Sequence, residues 1–338
     1  MTNASPPRNR GFVSAQAVAE RAGVSRSAVS RAFTDGASVS EETRIKVLKA
    51  AEELGYHVNH LARGLIRERS NIVSLVVSEI ASPFQSRLIE AITRALQQKN
   101  RVALVINTSG NDESAAQALR QSLNYRADAT VVLTGTPSSS LVDTCLSNGQ
   151  HVILINRGET PIGADRITVN NAAAAQEAFL LNQRANAQRH VVVSSANRTP
   201  SLVAREEAYV AAALAAGVEV EVIAAGPTSY RSGQEAARQV LARSKSADAA
   251  FCVTDLLALG FMDTARLEFG LDIPRDCCVI GFDDIDQGGW DSYGLTTFRQ
   301  PVNQISEYIT RLLDNEEAAG EGVTFDAQLV WRRSVRPR

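Results

Sequence analysis

Residues that build metal and redox centres are scarce in this sequence, which contains four histidines and four cysteines. The histidines are scattered along the chain, and the cysteines do not stand at metal-like spacings. We therefore expect no metal and no cofactor. The cysteines should instead be buried thiols in a reducing compartment: Cys145, Cys252, Cys277 and Cys278.

Motifs of common enzyme classes are also missing. The sequence has no glycine-rich phosphate loop and no serine at a nucleophile elbow. No stretch approaches the roughly 18 consecutive apolar residues that span a bilayer. Residues 1–10 are polar and contain proline, with no apolar signal segment behind them. These features predict a cytoplasmic protein that is not an enzyme and has no membrane partner.

Neither basic nor acidic residues are in large excess overall, but the two kinds are distributed unevenly along the chain. The 338 residues carry 35 basic and 37 acidic side chains, a net charge of −2. The first 70 residues hold 11 basic and 7 acidic side chains, and the remainder holds 24 and 30. A basic segment on an acidic remainder predicts that only the first 70 residues meet a polyanion. The length also exceeds that of one ordinary domain of roughly 100–200 residues.

The basic segment has the pattern of short helices joined by a tight turn. Ser14 and Ser25 are candidate N-caps, each followed by apolar residues at helical spacing, and Gly23 breaks the chain between them. A third helix is predicted from Ser40 to Gly55. Its apolar stripe is predicted to pack on the first two helices: Ile45, Leu48, Ala51 and Leu54. This is the plan of a helix-turn-helix, although such helices also occur as parts of ordinary bundles.

The second helix carries side chains suited to DNA on its non-core face. Arg26, Ser27, Ser30 and Arg31 are short or forked hydrogen-bond donors. Arg26 is the candidate for reading a guanine edge, and the alternative is that either arginine lies on a plain solvated face.

Residues 13–33, with the stretches 39–44 and 54–59, resemble the headpiece of the LacI/GalR family of repressors. The resemblance implies that Arg26 and Ser27 are the main base readers. It further implies base or phosphate contacts from Ser30, Arg31 and Thr34, and backbone anchoring by Ser25 and Ser40.

Residues 59–65 resemble the hinge of the same family, which becomes helical when two subunits meet on DNA. Seven residues are too few for a stable isolated helix. The resemblance places Asn59 and Ala62 in the DNA-contacting hinge and implies that Leu65 wedges between base pairs. Gly64 stands where family members often have serine, so ordering of this hinge should depend more on DNA. A plain flexible linker is the alternative.

From residue 71 onward, apolar strand-like runs alternate with amphipathic helical segments. Strands are predicted at 72–77, 102–106, 129–133, 152–155, 190–193, 220–224, 249–253 and 278–282. Helices are predicted at 84–99, 113–123, 172–182, 202–216, 233–242 and 256–269. A last strand-like run covers 324–331. This alternation predicts parallel sheets covered on both faces, with a ligand at the carboxyl ends of the strands.

Polar residues follow these strands, where they either cap helices or bind a ligand. The body resembles the effector domain of the same family and periplasmic sugar-binding proteins, through motifs such as 82–84, 154–157, 255–260, 279–284 and 295–301. The resemblance implies effector contacts by Asn156, Arg205 and Asp283. Phe84 or Tyr230 could stack on a ring, Gln85 is a further candidate, and Thr254 stands where the family often has asparagine or serine.

The predicted fold is an all-α helix-turn-helix headpiece plus an α/β periplasmic-binding-protein-like body of two doubly wound parallel-sheet subdomains. The predicted segments are a disordered tail (1–11), the headpiece (12–58), the hinge (59–70) and the body (71–338). The body divides into 71–169 with 299–323, and 170–298 with 324–338.

The predicted function is a transcriptional repressor, a nucleoid-associated homodimer on a pseudo-palindromic DNA operator. Its small-molecule effector is expected to be a sugar or sugar acid, with a purine or nucleoside as the alternative. A solute-binding protein serving a transporter is disfavoured. The absence of a long leucine heptad after the last strand-like run favours a dimer over a tetramer built through such a tail.

Overall fold

The computed structural model describes residues 12–34, 36–58, 69–109, 111–133, 137–157, 161–243, 247–314 and 322–337. The chain forms two compact units, Met1–Ser70 and Asn71–Arg338. The predicted tail and the hinge residues Asn59, Ala62 and Leu65 lie outside the described residues. Every helix within the described ranges is too short or too polar to cross a membrane.

The first unit contains three helices: α1 (Ala15–Ala22), α2 (Arg26–Ala32) and α3 (Glu41–Leu54). Each begins at a serine whose hydroxyl accepts a backbone N–H bond, as the sequence predicts: Ser14, Ser25 and Ser40. Gly23 and Gly55 end α1 and α3 with φ of 66° and 65°, a left-handed conformation that glycine adopts without strain.

Of the four residues in the predicted α3 stripe, Ala51 and Leu54 pack inward, but Ile45 and Leu48 do not. Val47, Ala50 and Ala51 are buried against α1 and α2, whereas Ile45 is 58% and Leu48 44% exposed. Helix α3 carries two apolar stripes, and the stripe through residue 47 recurs at helical spacing together with the small alanines. Small side chains let the three short helices approach closely. The prediction of Ile45 and Leu48 as core residues was wrong.

The second unit contains two parallel sheets. The larger has the strand order β11-β5-β4-β3-β1-β2, and every neighbouring pair in it is parallel. Its strands are β1 (Ile72–Val77), β2 (Val102–Asn107), β3 (Ala129–Val132), β4 (His151–Ile155), β5 (Asp165–Val169) and β11 (Gly322–Phe325). The smaller sheet, also parallel, has the order β7-β6-β8-β9. Its strands are β6 (His190–Val193), β7 (Val220–Ile223), β8 (Ala249–Cys252) and β9 (Cys278–Ile280).

Helices cover both faces of the larger sheet, so its strands are apolar on both sides. Leu75 and Val77 pack into one cluster and Val76 into another on the opposite face. The covering helices are α4 (Pro83–Gln98), α5 (Asp112–Asn124), α6 (Ser139–Ser147) and α11 (Val302–Asp314). One apolar cluster holds the smaller sheet and its helices: α7 (Asn171–Arg184), α8 (Pro200–Ala215), α9 (Tyr230–Leu241) and α10 (Asp255–Leu267).

A short antiparallel pair lies where the chain passes between the two lobes. β10 (Thr297–Arg299) pairs with β12 (Gln328–Val330), and a 3-10 turn at Asp286–Gly289 precedes it. The predicted run at 324–331 is therefore two strands rather than one. Because β11 belongs to the larger sheet, the last crossover falls after Phe325, two residues beyond the predicted boundary.

Candidate ligand-binding cavity and DNA-binding helix

A cavity of about 350 Å³ opens between the two lobes of the second unit. Loops at the carboxyl ends of strands β1, β4, β6, β8 and β9 line it, the position at which open parallel sheets bind ligands. Six of the seven side chains proposed as effector contacts lie in its wall: Phe84, Gln85, Asn156, Arg205, Thr254 and Asp283.

Tyr230 is the exception, since it does not line this cavity. Its hydroxyl donates to Asp263 Oδ2 at 2.5 Å, and Tyr293 donates to the same oxygen at 2.8 Å. Tyr230 begins helix α9 and faces helix α10 rather than the strand ends, so we no longer expect it to stack on a ligand.

Arg205 is the most deeply buried charged side chain in the cavity wall, with 2% of its surface exposed. Its Nε donates to Asn171 Oδ1 at 2.8 Å, and its Nη1 donates to the Val253 carbonyl at 2.7 Å. The guanidinium carbon lies 3.5 Å from the centroid of the Phe282 ring. Burial lowers the pKa of Arg205 to about 10, which leaves the group charged at neutral pH.

Asp283 Oδ1 lies 3.5 Å from Arg205 Nη1. The same oxygen accepts a hydrogen bond from Gln300 Nε2 at 2.6 Å. Burial raises the pKa of Asp283 to about 6, although Arg205 and Gln300 both favour the charged form. Its backbone has φ of 121°, a conformation that costs energy for a residue with a Cβ. Such strain at a cavity wall is typical of residues placed for binding.

The loop that carries Asp283 is built around the buried Asp255. The Asp255 carboxylate accepts hydrogen bonds from the Thr297 hydroxyl at 2.6 Å and from the Ile285 N–H at 2.9 Å. A Cβ on Gly281 would lie 2.1 Å from this carboxylate, so only glycine allows the approach. Burial and the charge of Asp283 raise the pKa of Asp255 to about 7.

Asn156 and Arg157 close the cavity from the first lobe. Asn156 adopts φ of 52°, and its Oδ1 accepts the Val169 N–H at 2.9 Å, which joins the ends of β4 and β5. Arg157 donates to the carbonyls of Ile155 at 2.9 Å and Leu133 at 2.7 Å. Arg157 was not among the predicted site residues, although it lies in the 154–157 motif that carries the family resemblance. The same is true of Gln300 in the 295–301 motif.

Beside the bond from Gln300 to Asp283, further hydrogen bonds and one aromatic ring connect the lobes at the cavity. Arg87 Nη1, on helix α4, donates to the Asp284 carbonyl at 2.6 Å. Asn197 Nδ2 donates to Glu79 Oε1 at 3.0 Å. Phe84 packs against the cores of both lobes. A change at the cavity can therefore reach helix α4 of the first lobe directly.

Helix α2 of the first unit presents the residues predicted to read DNA. Arg26, Ser27, Ser30 and Arg31 are exposed, while Val29 and Ala32 face the core. The Ser25 and Ser27 hydroxyls lie 2.9 Å apart, and Thr34 donates its hydroxyl to the Ser30 carbonyl at 2.9 Å. Ser40 is exposed at the start of α3. The predicted contact residues therefore lie on the solvent side of the helix-turn-helix.

This chain combines a helix-turn-helix unit with a two-lobed unit of parallel sheets. That combination defines the class of regulators that join DNA binding to a ligand-binding domain. Family comparison agrees. Residues 15–59 match the bacterial regulatory proteins of the lacI family, and residues 70–305 match the periplasmic binding proteins and sugar binding domain of the LacI family. The chain belongs to the LacI family of transcriptional regulators.

Individual relatives span nearly the whole chain. The HTH-type transcriptional regulator GalS of Salmonella typhimurium is 29% identical over 94% of this chain and 95% of its own length. The HTH-type transcriptional repressor CytR of Escherichia coli is 28% identical over 94% and 95%. A crystal structure of the lac repressor dimer bound to operator and the anti-inducer ONPF has a TM-score of 0.84 at 23% identity, covering 96% of this chain and 99% of that one.

These findings confirm the predicted family and fold. Because the relatives are transcriptional regulators, the chain is a DNA-binding transcriptional regulator and not an enzyme.

Proposed function

We propose that this regulator is a cytoplasmic homodimeric repressor whose affinity for a pseudo-palindromic operator is set by a small molecule in the inter-lobe cavity. One observation carries the proposal: a single chain contains a helix that exposes Arg26, Ser27 and Arg31, and a cavity lined by the buried Arg205–Asp283 pair. The regulation requires no metal or other cofactor.

On the DNA side, Arg26 and Ser27 read base edges in a major groove, because they lie at the N-terminal end of the second helix of the motif. Ser30, Arg31 and Thr34 add base or phosphate contacts, and Ser25 and Ser40 anchor the backbone. The hinge residues Asn59, Ala62 and Leu65 occupy the minor groove between two half-sites.

Two apolar side chains on the second lobe support a dimer. Leu267, at the end of helix α10, is 83% exposed, and Trp290 is 57% exposed. Arg266 Nη1 donates to the Ser292 carbonyl at 2.6 Å, which fixes the end of α10 beside the turn that carries Trp290. Exposed apolar side chains on segments that are held side by side often mark a protein–protein interface. Trp290→Ala should therefore weaken self-association.

On the ligand side, the lobes share the cavity and are connected across it by Arg87 and Glu79. A ligand that contacts both lobes favours one lobe arrangement. That choice determines whether two hinges pair on DNA. By linkage, the factor by which ligand changes operator affinity equals the factor by which operator changes ligand affinity.

Selection of binding sites from random DNA tests this proposal. We expect the full-length protein to enrich an inverted repeat, and Arg26→Ala to relax preference at one base pair in each half-site. Arg120→Ala removes the same charge from an exposed position in the second unit and should leave the selected sequence unchanged. Enrichment of an unrelated or asymmetric sequence would contradict the homodimeric operator. A uniform loss of affinity in Arg26→Ala would assign Arg26 to phosphate.

A further inference from the structure

Three polar atoms in the cavity wall are buried and have no hydrogen-bond partner among the described residues. They are Gln85 Oε1, Thr254 Oγ1 and Gln300 Oε1. Two are amide oxygens, which only accept hydrogen bonds, and the third is a hydroxyl. A buried acceptor without a partner is costly, so the occupant that suits this wall supplies donors.

The orientation of the Gln300 amide is determined by its neighbour. Its Nε2 donates to Asp283 Oδ1 at 2.6 Å, and a turned amide would place its oxygen against that carboxylate. The oxygen that remains is therefore the acceptor. With 3% of its surface exposed, Gln300 has little access to solvent that could satisfy it.

The positive charges in the wall already have partners. Arg205 is shared among Asn171, the Val253 carbonyl and Asp283, and Arg157 donates to two backbone carbonyls. The lining also contains the acids Glu79 and Asp283, which balance the two arginines in formal charge. An anionic ligand would meet two carboxylates and two amide oxygens that can only accept hydrogen bonds, and neither arginine is held for it alone.

We propose that the ligand is an uncharged polyhydroxyl compound, a neutral sugar rather than a sugar acid or a sugar phosphate. Its hydroxyls donate to Gln85, Thr254 and Gln300 and to the Asp283 carboxylate. This inference rests on the proposed function, which requires only that some small molecule occupy the cavity. A nucleoside fits less well, because Phe84 is the one aromatic side chain among the described lining residues.

Matched pairs of ligands test this choice by thermal shift and calorimetry on the full-length protein. The panel contains galactose with galacturonate, glucose with glucuronate and glucose 6-phosphate, ribose with ribose 5-phosphate, and adenosine. At least one neutral sugar should bind about tenfold or more tightly than its charged counterpart, the effect of one well-placed hydrogen bond. Tighter binding by an acid, a phosphate or adenosine would overturn this inference and leave the proposed function intact. Absence of binding by every compound in the panel would also overturn this inference, whereas the proposed function, which requires only some small molecule, would stand.

A charge-placement variant supplies a second test. Gln85→Lys introduces a cation at the cavity wall and should move preference toward the charged member of a pair by about tenfold. Gln97→Lys adds the same charge on the same helix at an exposed position outside the lining. Melting curves of both variants establish that they fold. Equal preferences in the two variants would show that Gln85 does not face the ligand.

Discussion

Replacing Arg205 by leucine should destabilise the second unit more than any change to an exposed charge. The guanidinium supplies hydrogen bonds to Asn171 Oδ1 and to the Val253 carbonyl, and it faces the Asp283 carboxylate at 3.5 Å. Leucine fills part of the volume but donates nothing, so Asn171 Oδ1 and the Val253 carbonyl lose the donor that Arg205 supplies, and the Asp283 carboxylate keeps only Gln300.

The size of the effect follows from these contacts. Removing one partner of a buried ion pair costs about 3–5 kcal/mol. Each neutral acceptor left unsatisfied costs about 1–3 kcal/mol on its own. The terms overlap, because Asp283 can take a proton once Arg205 is absent, and its pKa is already raised to about 6. We therefore expect a loss of about 3–5 kcal/mol in the free energy of unfolding. For a unit of this size that corresponds to a melting temperature lower by about 10 °C.

Thermal unfolding followed by circular dichroism at pH 7.5 measures the change. Arg94→Leu is the matched control, since Arg94 is 70% exposed and pairs only with Glu90 on the same helix at 2.6 Å among the described residues. Such a surface pair contributes less than about 0.5 kcal/mol. If Arg205→Leu melted within about 2 °C of the wild type, the guanidinium would not organise the cavity as described.

Three further predictions concern packing, pH and coupling between the lobes. Gly260→Ala would place a Cβ 1.9 Å from the Tyr230 carbonyl oxygen, so urea denaturation should show a loss of about 1–3 kcal/mol; an unchanged midpoint would contradict this packing. Burial raises the pKa of Asp283 to about 6, and a ligand hydroxyl needs the carboxylate, so ligand affinity should be full above this pH and fall as pH drops through it. Equal dissociation constants at pH 5 and pH 8 would rule this out. Arg87→Ala removes the hydrogen bond to the Asp284 carbonyl, so the ligand-induced change in operator affinity should fall toward onefold; an unaltered coupling factor would show that this contact transmits nothing.

Much of the fold was predictable because the strands are continuous apolar runs. The segments Ile72–Val77 and His190–Val193 begin and end where the sequence places them. Strand Asp165–Val169 was missed, since its polar Asp165 is buried and its exposed Arg166 interrupts the apolar pattern. Helix Val302–Asp314 was also not identified, although its apolar residues recur at helical spacing.

The cavity depends on contacts between residues that are far apart in the sequence, and a local sequence pattern does not reveal such contacts. Arg205 and Asp283 lie 78 positions apart, and only the family resemblance selected them together. Tyr230 was a plausible aromatic partner by composition, but the register of helix α9 directs it to Asp263. The sequence motif that contains Gln300 was recognised, but the role of Gln300 was not predictable from it. That role depends on the 2.6 Å hydrogen bond to Asp283.

Operator affinity measured with and without ligand tests most directly whether this chain couples a ligand to an operator. Fluorescence anisotropy with the selected inverted repeat, at fixed salt, gives the dissociation constant of the full-length protein. With a saturating neutral sugar from the panel, we expect a change of at least about fivefold in this constant. An operator affinity that stays constant while the sugar demonstrably occupies the cavity would contradict it.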